Sequence, residues 1–300
     1  MKKILICFLS VLISLTVAGQ VNEVRQASSL TGKPFYSPAQ DPKIVMKSDS
    51  TIAAIRSTGN LTEDSYVEIG RQLVATARYK EAVDDYSEGL EKFPNSFKLL
   101  RHRGHRYLTL RMLDMVIKDL SKASDLIKSK PDSWEVDATG KQTDTYQHQI
   151  DYYLGVYYFL TKSYKQAVAA FEKSLKEAHE PNEIVGTTDW LYNAYQRNGQ
   201  KSQAEKLINT MTMDEKADHE QAYFRRILLY KGMITPSELV DESTAPDKMS
   251  IQDVTKLYGL ANWYGYQGNE KKAKELYAKI IQSKSWPAFA YLASEVELKN

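Results

Sequence analysis

The sequence predicts an all-α protein built from a row of paired helices. One stretch carries regularly spaced apolar and small residues, Tyr66-x2-Ile69-Gly70-x2-Leu73, then Ala82-x3-Tyr86 and Pro94, which fits two helices joined by a turn. This pattern returns along the chain, and the small residue of each second helix recurs at positions 82, 116, 167, 204 and 273. Small residues at a helix crossing let two helices approach closely, and aromatic residues fill the gaps between pairs.

Residues 1–19 resemble a secretory signal peptide. Lys2 and Lys3 precede an apolar run over residues 4–17, and Ala18-Gly19 offers a cleavage site before Gln20. We therefore expect an exported bacterial protein, periplasmic or extracellular, with no membrane span after cleavage; the alternative is an uncleaved anchor. Cys7, the only cysteine, lies inside the apolar run, so we expect neither a lipid anchor nor disulfides in the mature chain.

Residues 20–61 are predicted to form an extended arm with one short helix. Gly32, Pro34, Pro38 and Pro42 interrupt periodicity, and the helix is predicted over residues 48–57, closed by Gly59-Asn60. Phe35 and Tyr36 are expected to pin the arm against the first helix pair. An open surface and a surface filled by the arm of the same chain both fit the sequence.

Residues 62–300 are predicted to hold the helix pairs, interrupted by an insertion over 130–147 where Pro131, Gly140 and a polar string break the helical pattern. A fifth, degenerate pair is expected to start at the capping-box sequence Thr212-x-x-Glu215, and the last pair at Ser250-x-x-Asp253. The predicted units are 62–96, 97–130, 148–181, 185–212, 213–249 (degenerate), 250–285, and a terminal cap over 286–300.

This pattern resembles the tetratricopeptide repeat, W-x2-L-G-x2-Y…A-x3-F…P, over residues 62–300. The first and third units match it best, and the fifth departs most from it. The resemblance implies a right-handed superhelical solenoid of about five to six repeats, closed by a C-terminal capping helix.

The resemblance also implies a concave groove, lined by the first helix of each repeat, that binds an extended peptide. The positions that correspond to this groove and that we expect to contact a partner are Arg71, Arg101, His105, Tyr152, Asn193, Arg197, Tyr258, Asn262 and Tyr266, beside Val67, Val156 and Asp189. The side-chain amides of Asn193 and Asn262 could pair with any peptide backbone, or both could be polar surface residues. Val67 and Arg71 occupy positions where chaperone-binding relatives carry a carboxylate clamp, so chaperone tails are disfavoured.

The densest basic cluster is Arg101-His-Arg-Gly-His-Arg106, with Arg111 beyond it. It is either a contact for an anion or acidic peptide, or a solvated face paired with acids such as Asp84 and Asp85. His102 and His105 have the i,i+3 spacing of a metal pair, but no third ligand is near in sequence, so no metal is predicted.

The sequence contains no Gly-rich phosphate loop, no H-E-x-x-H and no G-x-S-x-G, so we predict a non-enzyme without a cofactor. The chain has 40 Lys and Arg against 38 Asp and Glu, and removal of Lys2 and Lys3 with the signal peptide would leave 38 against 38. A neutral mature chain has no basic excess to favour nucleic acid or an anionic membrane as a partner. The function predicted first is a protein-interaction scaffold in the bacterial envelope, with a protein or extended peptide as partner. The alternatives are a glycan- or envelope-binding protein that uses exposed tyrosines, and an accessory subunit of an enzyme complex.

Overall fold

The computed structural model of the protein describes residues 24–131, 133–136, 140–211 and 221–299. Within these residues the chain forms fourteen α-helices, one short 3-10 helix and two antiparallel hairpins. The predicted signal peptide and the helix start predicted at Thr212 lie outside the described residues. None of the helices in the described part of the chain has the length and apolar character needed to cross a membrane.

The N-terminal arm is a hairpin followed by a helix. Strands β1 (Arg25–Ser28) and β2 (Pro34–Tyr36) pair antiparallel, and α1 follows over Pro42–Ser57. This helix starts before the predicted residue 48, because Pro42 acts as a helix start and not as a breaker. The Asp41 side chain accepts a hydrogen bond from the Lys43 N–H at 2.8 Å, and proline suits a first turn whose N–H groups lack helical partners.

Four helix pairs follow in the order that the sequence pattern predicts. In each pair the two helices pack against each other, and neighbouring pairs stack in sequence. The pairs are α2 (Glu63–Ala75) with α3 (Tyr79–Lys92), α4 (Phe97–Thr109) with α5 (Leu113–Ile127), α6 (Tyr146–Leu160) with α7 (Tyr164–Lys176), and α8 (Pro181–Arg197) with α9 (Lys201–Asn209).

A glycine sets how closely the helices cross in the first three pairs. A Cβ added at Gly70 would lie 2.1 Å from the Tyr86 ring, and one at Gly155 would lie 2.5 Å from the Phe171 ring. Gly104 faces Leu120 in the same way, at 2.8 Å. Because each glycine and its large partner are 16 residues apart, the same crossing repeats along the chain.

The predicted insertion forms a second hairpin. Strands β3 (Trp134–Val136) and β4 (Gln142–Thr145) pair antiparallel, and Thr145 then caps α6 by accepting a hydrogen bond from the His148 N–H at 3.2 Å. The hairpin therefore leads directly into the third helix pair.

The C-terminal part is less regular. It contains α10 (Gln221–Tyr230), the four-residue α11 (Pro236–Leu239), a 3-10 turn at Pro246–Lys248, α12 (Ile251–Tyr266), α13 (Glu270–Ile280) and α14 (Phe289–Leu298). The predicted capping box is present at the start of α12, where the Ser250 hydroxyl accepts a hydrogen bond from the Asp253 N–H at 3.1 Å.

The arm and α14 bring the two ends of the chain together. The Phe35 ring stacks on Trp286 with centroids 5.1 Å apart, and the Trp286 indole N–H donates to the Tyr36 carbonyl at 3.0 Å. Phe35 therefore packs on the C-terminal segment, whereas we expected it to pack on the first helix pair. The first pair is reached instead by Ser37, whose hydroxyl donates to the Ala77 carbonyl at 3.0 Å.

Candidate functional site

The two asparagines predicted to face a peptide are fully buried and bond to each other. The Asn262 Nδ2 donates to Asn193 Oδ1 at 3.0 Å, and the Tyr266 hydroxyl donates to the same oxygen at 2.9 Å. The Tyr277 hydroxyl donates to Asn262 Oδ1 at 2.5 Å. These amides hold α8 and α12 together, so their hydrogen-bonding groups are used inside the chain.

A buried ion pair lies beside them. Arg226 Nη2 is 2.8 Å from Asp189 Oδ2, and neither side chain is exposed. Gly259 makes the space, since a Cβ there would lie 2.4 Å from Arg226 Cγ. Burial alone would lower the pKa of the guanidinium, but Asp189 together with Tyr230 and Tyr223 outweighs this effect and raises it, so Arg226 stays charged.

Arg197 joins this region to the last helix. Its Nη2 donates to Asn262 Oδ1 at 3.2 Å and lies 3.0 Å from Glu297 Oε1 on α14. We call the set of connected residues the C-terminal network; its members are Asp189, Asn193, Arg197, Arg226, Asn262 and Glu297.

At the other end of the predicted groove, the insertion hairpin supplies one carboxylate to several groups. Glu135 on β3 accepts from Arg101 Nη2 at 2.9 Å and from Gln149 Nε2 at 2.6 Å, and it also pairs with Arg71. His102 Nε2 lies 3.3 Å from the same carboxylate. We call these five residues the N-terminal cluster. Burial would raise the pKa of Glu135, but Arg101 and Arg71 outweigh it and hold the pKa well below its usual range.

The remaining predicted contact residues are aromatic and pack on one another. The His105 ring stacks on Tyr153 with centroids 4.2 Å apart and contacts Phe289 of α14 at 5.4 Å. Tyr258 is fully buried, whereas Tyr152, Tyr153 and Tyr266 are half-buried. Sugar stacking needs exposed ring faces, so this placement does not favour the glycan alternative.

The basic cluster points inward. Arg103 makes two hydrogen bonds to the Asp119 carboxylate, at 2.7 and 2.9 Å, and Arg111 Nη2 lies 3.0 Å from Glu295. Its partners are therefore Asp119 and Glu295, which are acids of neighbouring helices as the paired-face interpretation allows, and Glu135 of the hairpin; Asp84 and Asp85 are not among them. The fold buries the cluster because the hairpin and α14 cover it.

Arg106 is the exception. This residue is 8% exposed, yet it has no hydrogen bond or ion pair with any described residue. Burial and the neighbouring Arg101 lower the pKa of its guanidinium, and its nearest ring is Tyr79, 5.7 Å from the guanidinium carbon. It lines a cavity of about 290 Å³ whose other lining residues include Val74, Thr109, Ile251, Gln252 and Phe289.

A second cavity, of about 260 Å³, lies next to the first and shares Tyr223 and Phe289 with it. Asp144 at the end of β4, His148 on α6 and Glu183 on α8 converge there, with one potential ligand atom from each within 4.8 Å of the others. His148 Nδ1 is 2.8 Å from Asp144 Oδ1, and its Nε2 is 2.9 Å from the Thr187 hydroxyl. Burial, together with the nearby Asp144 carboxylate, raises the pKa of Glu183 to about 7.

Sequence reasoning missed Glu135, Asp144 and Glu183, and it treated Arg106 only as part of a basic cluster. The i,i+4 spacing of Asp144 and His148 was a visible signal for one pair. Glu183 lies 35 residues further along, and no local pattern connects it to that pair. The metal spacing that the sequence did suggest, His102 with His105, is not used: His102 contacts Glu135, whereas His105 stacks on Tyr153.

The stacked helix pairs with their glycine crossings define an all-α tetratricopeptide-repeat solenoid. No protein-family model and no curated protein matches the chain. Among solved structures the chain is similar to YrrB, which is described as a TPR protein with an unusual peptide-binding site. The two sequences are 14% identical, the match covers 78% of this chain and 92% of YrrB, and the TM-score is 0.44. It is also similar to MamA AMB-1, with 14% identity, 56% and 92% covered and a TM-score of 0.41. At this identity the likeness concerns the fold.

Proposed function

We propose that this protein is a non-catalytic scaffold that binds a protein or peptide partner through a carboxylate seated on Arg106. The observation that carries the proposal is an arginine that is only 8% exposed, faces a cavity and has no ion-pair partner among the described residues. An uncompensated buried charge destabilises the fold by several kcal/mol, in the range of about 3–5 kcal/mol when a partner is removed. An arginine that destabilises the fold by this much and faces a cavity is best explained by a ligand that supplies a negative charge.

The lining of the Arg106 cavity fits a peptide carboxylate with an apolar neighbour. Ile251 at the rim is 53% exposed, and Val74 and Phe289 continue the apolar surface inward. Arginine pairs with a carboxylate through two parallel hydrogen bonds, which gives direction as well as strength. A terminal carboxylate and an acidic side chain both offer this chemistry.

Catalysis is not favoured by the second cavity, although an acid and a base converge there. Both ring nitrogens of His148 already have partners, and the cavity lining contains no Ser, Cys or Lys that could act as a nucleophile. A binding role also agrees with the openness of the Arg106 cavity beside α14, which supplies Phe289 to its lining.

We further propose that the scaffold works in the bacterial envelope after removal of residues 1–19. The support is Lys2-Lys3, the apolar run over residues 4–17 and the small residues before Gln20. Expression in a bacterial host followed by cell fractionation and N-terminal sequencing tests this; an intact N-terminus in the cytoplasm would contradict it.

The binding test uses a peptide library in two matched forms, with a free C-terminal carboxylate and with a C-terminal amide. Wild type is expected to bind a subset of peptides, and Arg106→Gln to bind them about 10-fold or more weakly, as the loss of a charged hydrogen bond predicts. Loss of binding on amidation identifies a terminal carboxylate; retained binding identifies Asp or Glu side chains. Arg225→Gln, outside the cavity, is the matched control.

Stability gives a second readout. Because Arg106 has no partner in the free protein, Arg106→Met is expected to stabilise it by about 1–4 kcal/mol, as do other replacements of buried charge by apolar side chains. If Arg106→Met destabilises the protein and peptide binding is unchanged, Arg106 is structural and the proposal is wrong.

A further inference from the structure

The second cavity is lined by groups that accept hydrogen bonds or bind cations, and few positively charged groups of the described residues neutralise them. Glu183 and Gln149 are each at least 94% buried, and Glu183 Oε1 and Gln149 Oε1 have no hydrogen-bond partner among the described residues. The residues that line the cavity include no Lys and no Arg. Two carboxylates, one of which has an unpartnered oxygen, and the unpartnered amide oxygen of Gln149 line one cavity, and a positive charge among them would compensate this arrangement.

The other atoms of these side chains are already fixed. Glu183 Oε2 accepts hydrogen bonds from the His179 and Glu180 N–H groups at 2.6 and 3.1 Å, so Oε1 is the carboxylate oxygen without a partner among the described residues. Asp144 Oδ1 accepts from the Thr145 N–H at 2.6 Å. The Thr187 hydroxyl holds His148 Nε2, which leaves Nδ1 facing the carboxylates. Partners of this kind orient the ligands of protein metal sites.

We propose that Asp144, His148 and Glu183 bind a divalent transition-metal cation of the Zn²⁺ class. One imidazole nitrogen with two carboxylate oxygens is a donor set that Zn²⁺ accepts, whereas Ca²⁺ and Mg²⁺ prefer oxygen alone. The 2.8 Å between His148 Nδ1 and Asp144 Oδ1 is a hydrogen-bond distance. Two ligands with bonds of about 2.1 Å to one tetrahedral ion lie about 3.4 Å apart, so a bound cation would replace the proton of this hydrogen bond and move the two side chains apart by roughly 0.6 Å. The remaining coordination positions face the cavity.

The three ligands come from three parts of the fold. Asp144 ends the insertion hairpin, His148 lies in the first helix of the third pair, and Glu183 lies in the first turn of α8. A cation bound there ties the hairpin to two successive helix pairs. Its role would be to hold the hairpin in place over the N-terminal cluster.

The test is calorimetric titration of the untagged full chain with Zn²⁺ alone, after chelator treatment. We expect one equivalent to bind, with affinity reduced about 10-fold or more in Asp144→Asn and Glu183→Gln. Glu183→Gln keeps an oxygen for the Glu180 and His179 N–H groups, so this variant should fold. Glu205→Gln, an exposed residue on α9, is the matched control and should bind like wild type.

Two further readouts separate this site from other modes of binding. Co²⁺ should give visible absorption bands in wild type that are lost in His148→Gln, and Zn²⁺ should slow hydrogen exchange over residues 134–145 in wild type alone. Absence of binding at millimolar Zn²⁺ would mean that a proton holds the two carboxylates together. That result, or equal binding by wild type and all three variants, would overturn the proposal.

Discussion

The N-terminal and C-terminal halves of the molecule hold their buried polar groups in different ways. In the C-terminal network, the residues belong to the repeat helices and α14, and the Asp189–Arg226 pair is fully buried. In the N-terminal cluster, the central carboxylate, Glu135, comes from the inserted hairpin, and Arg71 keeps 27% of its side chain exposed. The first is part of the core, and the second joins the helices to a separate hairpin, which also contacts them through Val136, Asp144 and Thr145.

This difference matters for function. The glycine crossings and the buried apolar clusters contain no described hairpin residue, so we expect the helix pairs to stay folded when the hairpin detaches. Opening the C-terminal network would separate α8, α10 and α12 and expose a buried charge pair. The hairpin is therefore the part of the two clusters that we expect to open more easily.

The largest effect is expected for Asp189→Ala. Arg226 would stay buried without an anion, so the free energy of unfolding should fall by about 3–5 kcal/mol in urea denaturation. The double variant Asp189→Leu with Arg226→Met should recover much of this loss, because it removes both charges. A loss below about 1 kcal/mol in the single variant would mean that water reaches the pair.

A smaller effect is expected for Glu135→Gln. An amide oxygen can still accept a hydrogen bond, but Arg101 and Arg71 lose their shared charge, so the loss should be roughly 2–3 kcal/mol. Hydrogen exchange over residues 134–145 should speed up while exchange in α8 and α12 stays slow. Glu68→Gln is the matched control, since Glu68 also lies near Arg71, at 3.7 Å, but on the surface; it should cost less than about 0.5 kcal/mol.

If exchange in α8 and α12 rose together with that of the hairpin in Glu135→Gln, the two halves would open as one unit. The hairpin would then not open independently of the C-terminal network.

The smallest effect is a difference in pH dependence between the halves. The pKa of Glu135 is lowered in the folded protein, so its contribution to stability is complete above about pH 4.5 and lost as pH falls. Burial raises the pKa of Glu297, which Arg197 only partly offsets, so its contribution is present below about pH 4.5 and is lost as pH rises through the folded value.

The pH dependence of stability is measured by unfolding wild type, Glu135→Gln and Glu297→Gln between pH 4 and 8. The advantage of wild type over Glu135→Gln should shrink by about 1 kcal/mol on going from pH 7 to pH 4, because the unfolded glutamate then binds most of a proton. The difference between wild type and Glu297→Gln should change in the opposite direction. Equal slopes would show that the two carboxylates have similar surroundings.

Much of the fold could be predicted because its signals are local. The Gly70, Gly104 and Gly155 crossings repeat at a constant spacing, and the Ser250 capping box marks a helix start within four residues. The start of α1 was misplaced because proline was treated as a breaker. The candidate site could be predicted only in part: the repeat pattern singled out Arg71, Arg101 and His105, but the carboxylate that pairs with Arg71 and Arg101 comes from an inserted hairpin with no repeat pattern.

By itself, the sequence determined that this chain forms stacked helix pairs, because helix periodicity, small crossing residues and caps depend on neighbours a few positions apart. Only the tertiary structure decided which polar residues remain available. Asn193 and Asn262 are 69 residues apart yet satisfy each other, and Glu135 neutralises Arg71 and Arg101 from an inserted hairpin. Whether a buried polar group is paired depends on what packs against it, so the unpaired Arg106 and the convergence of Asp144, His148 and Glu183 became visible only in three dimensions.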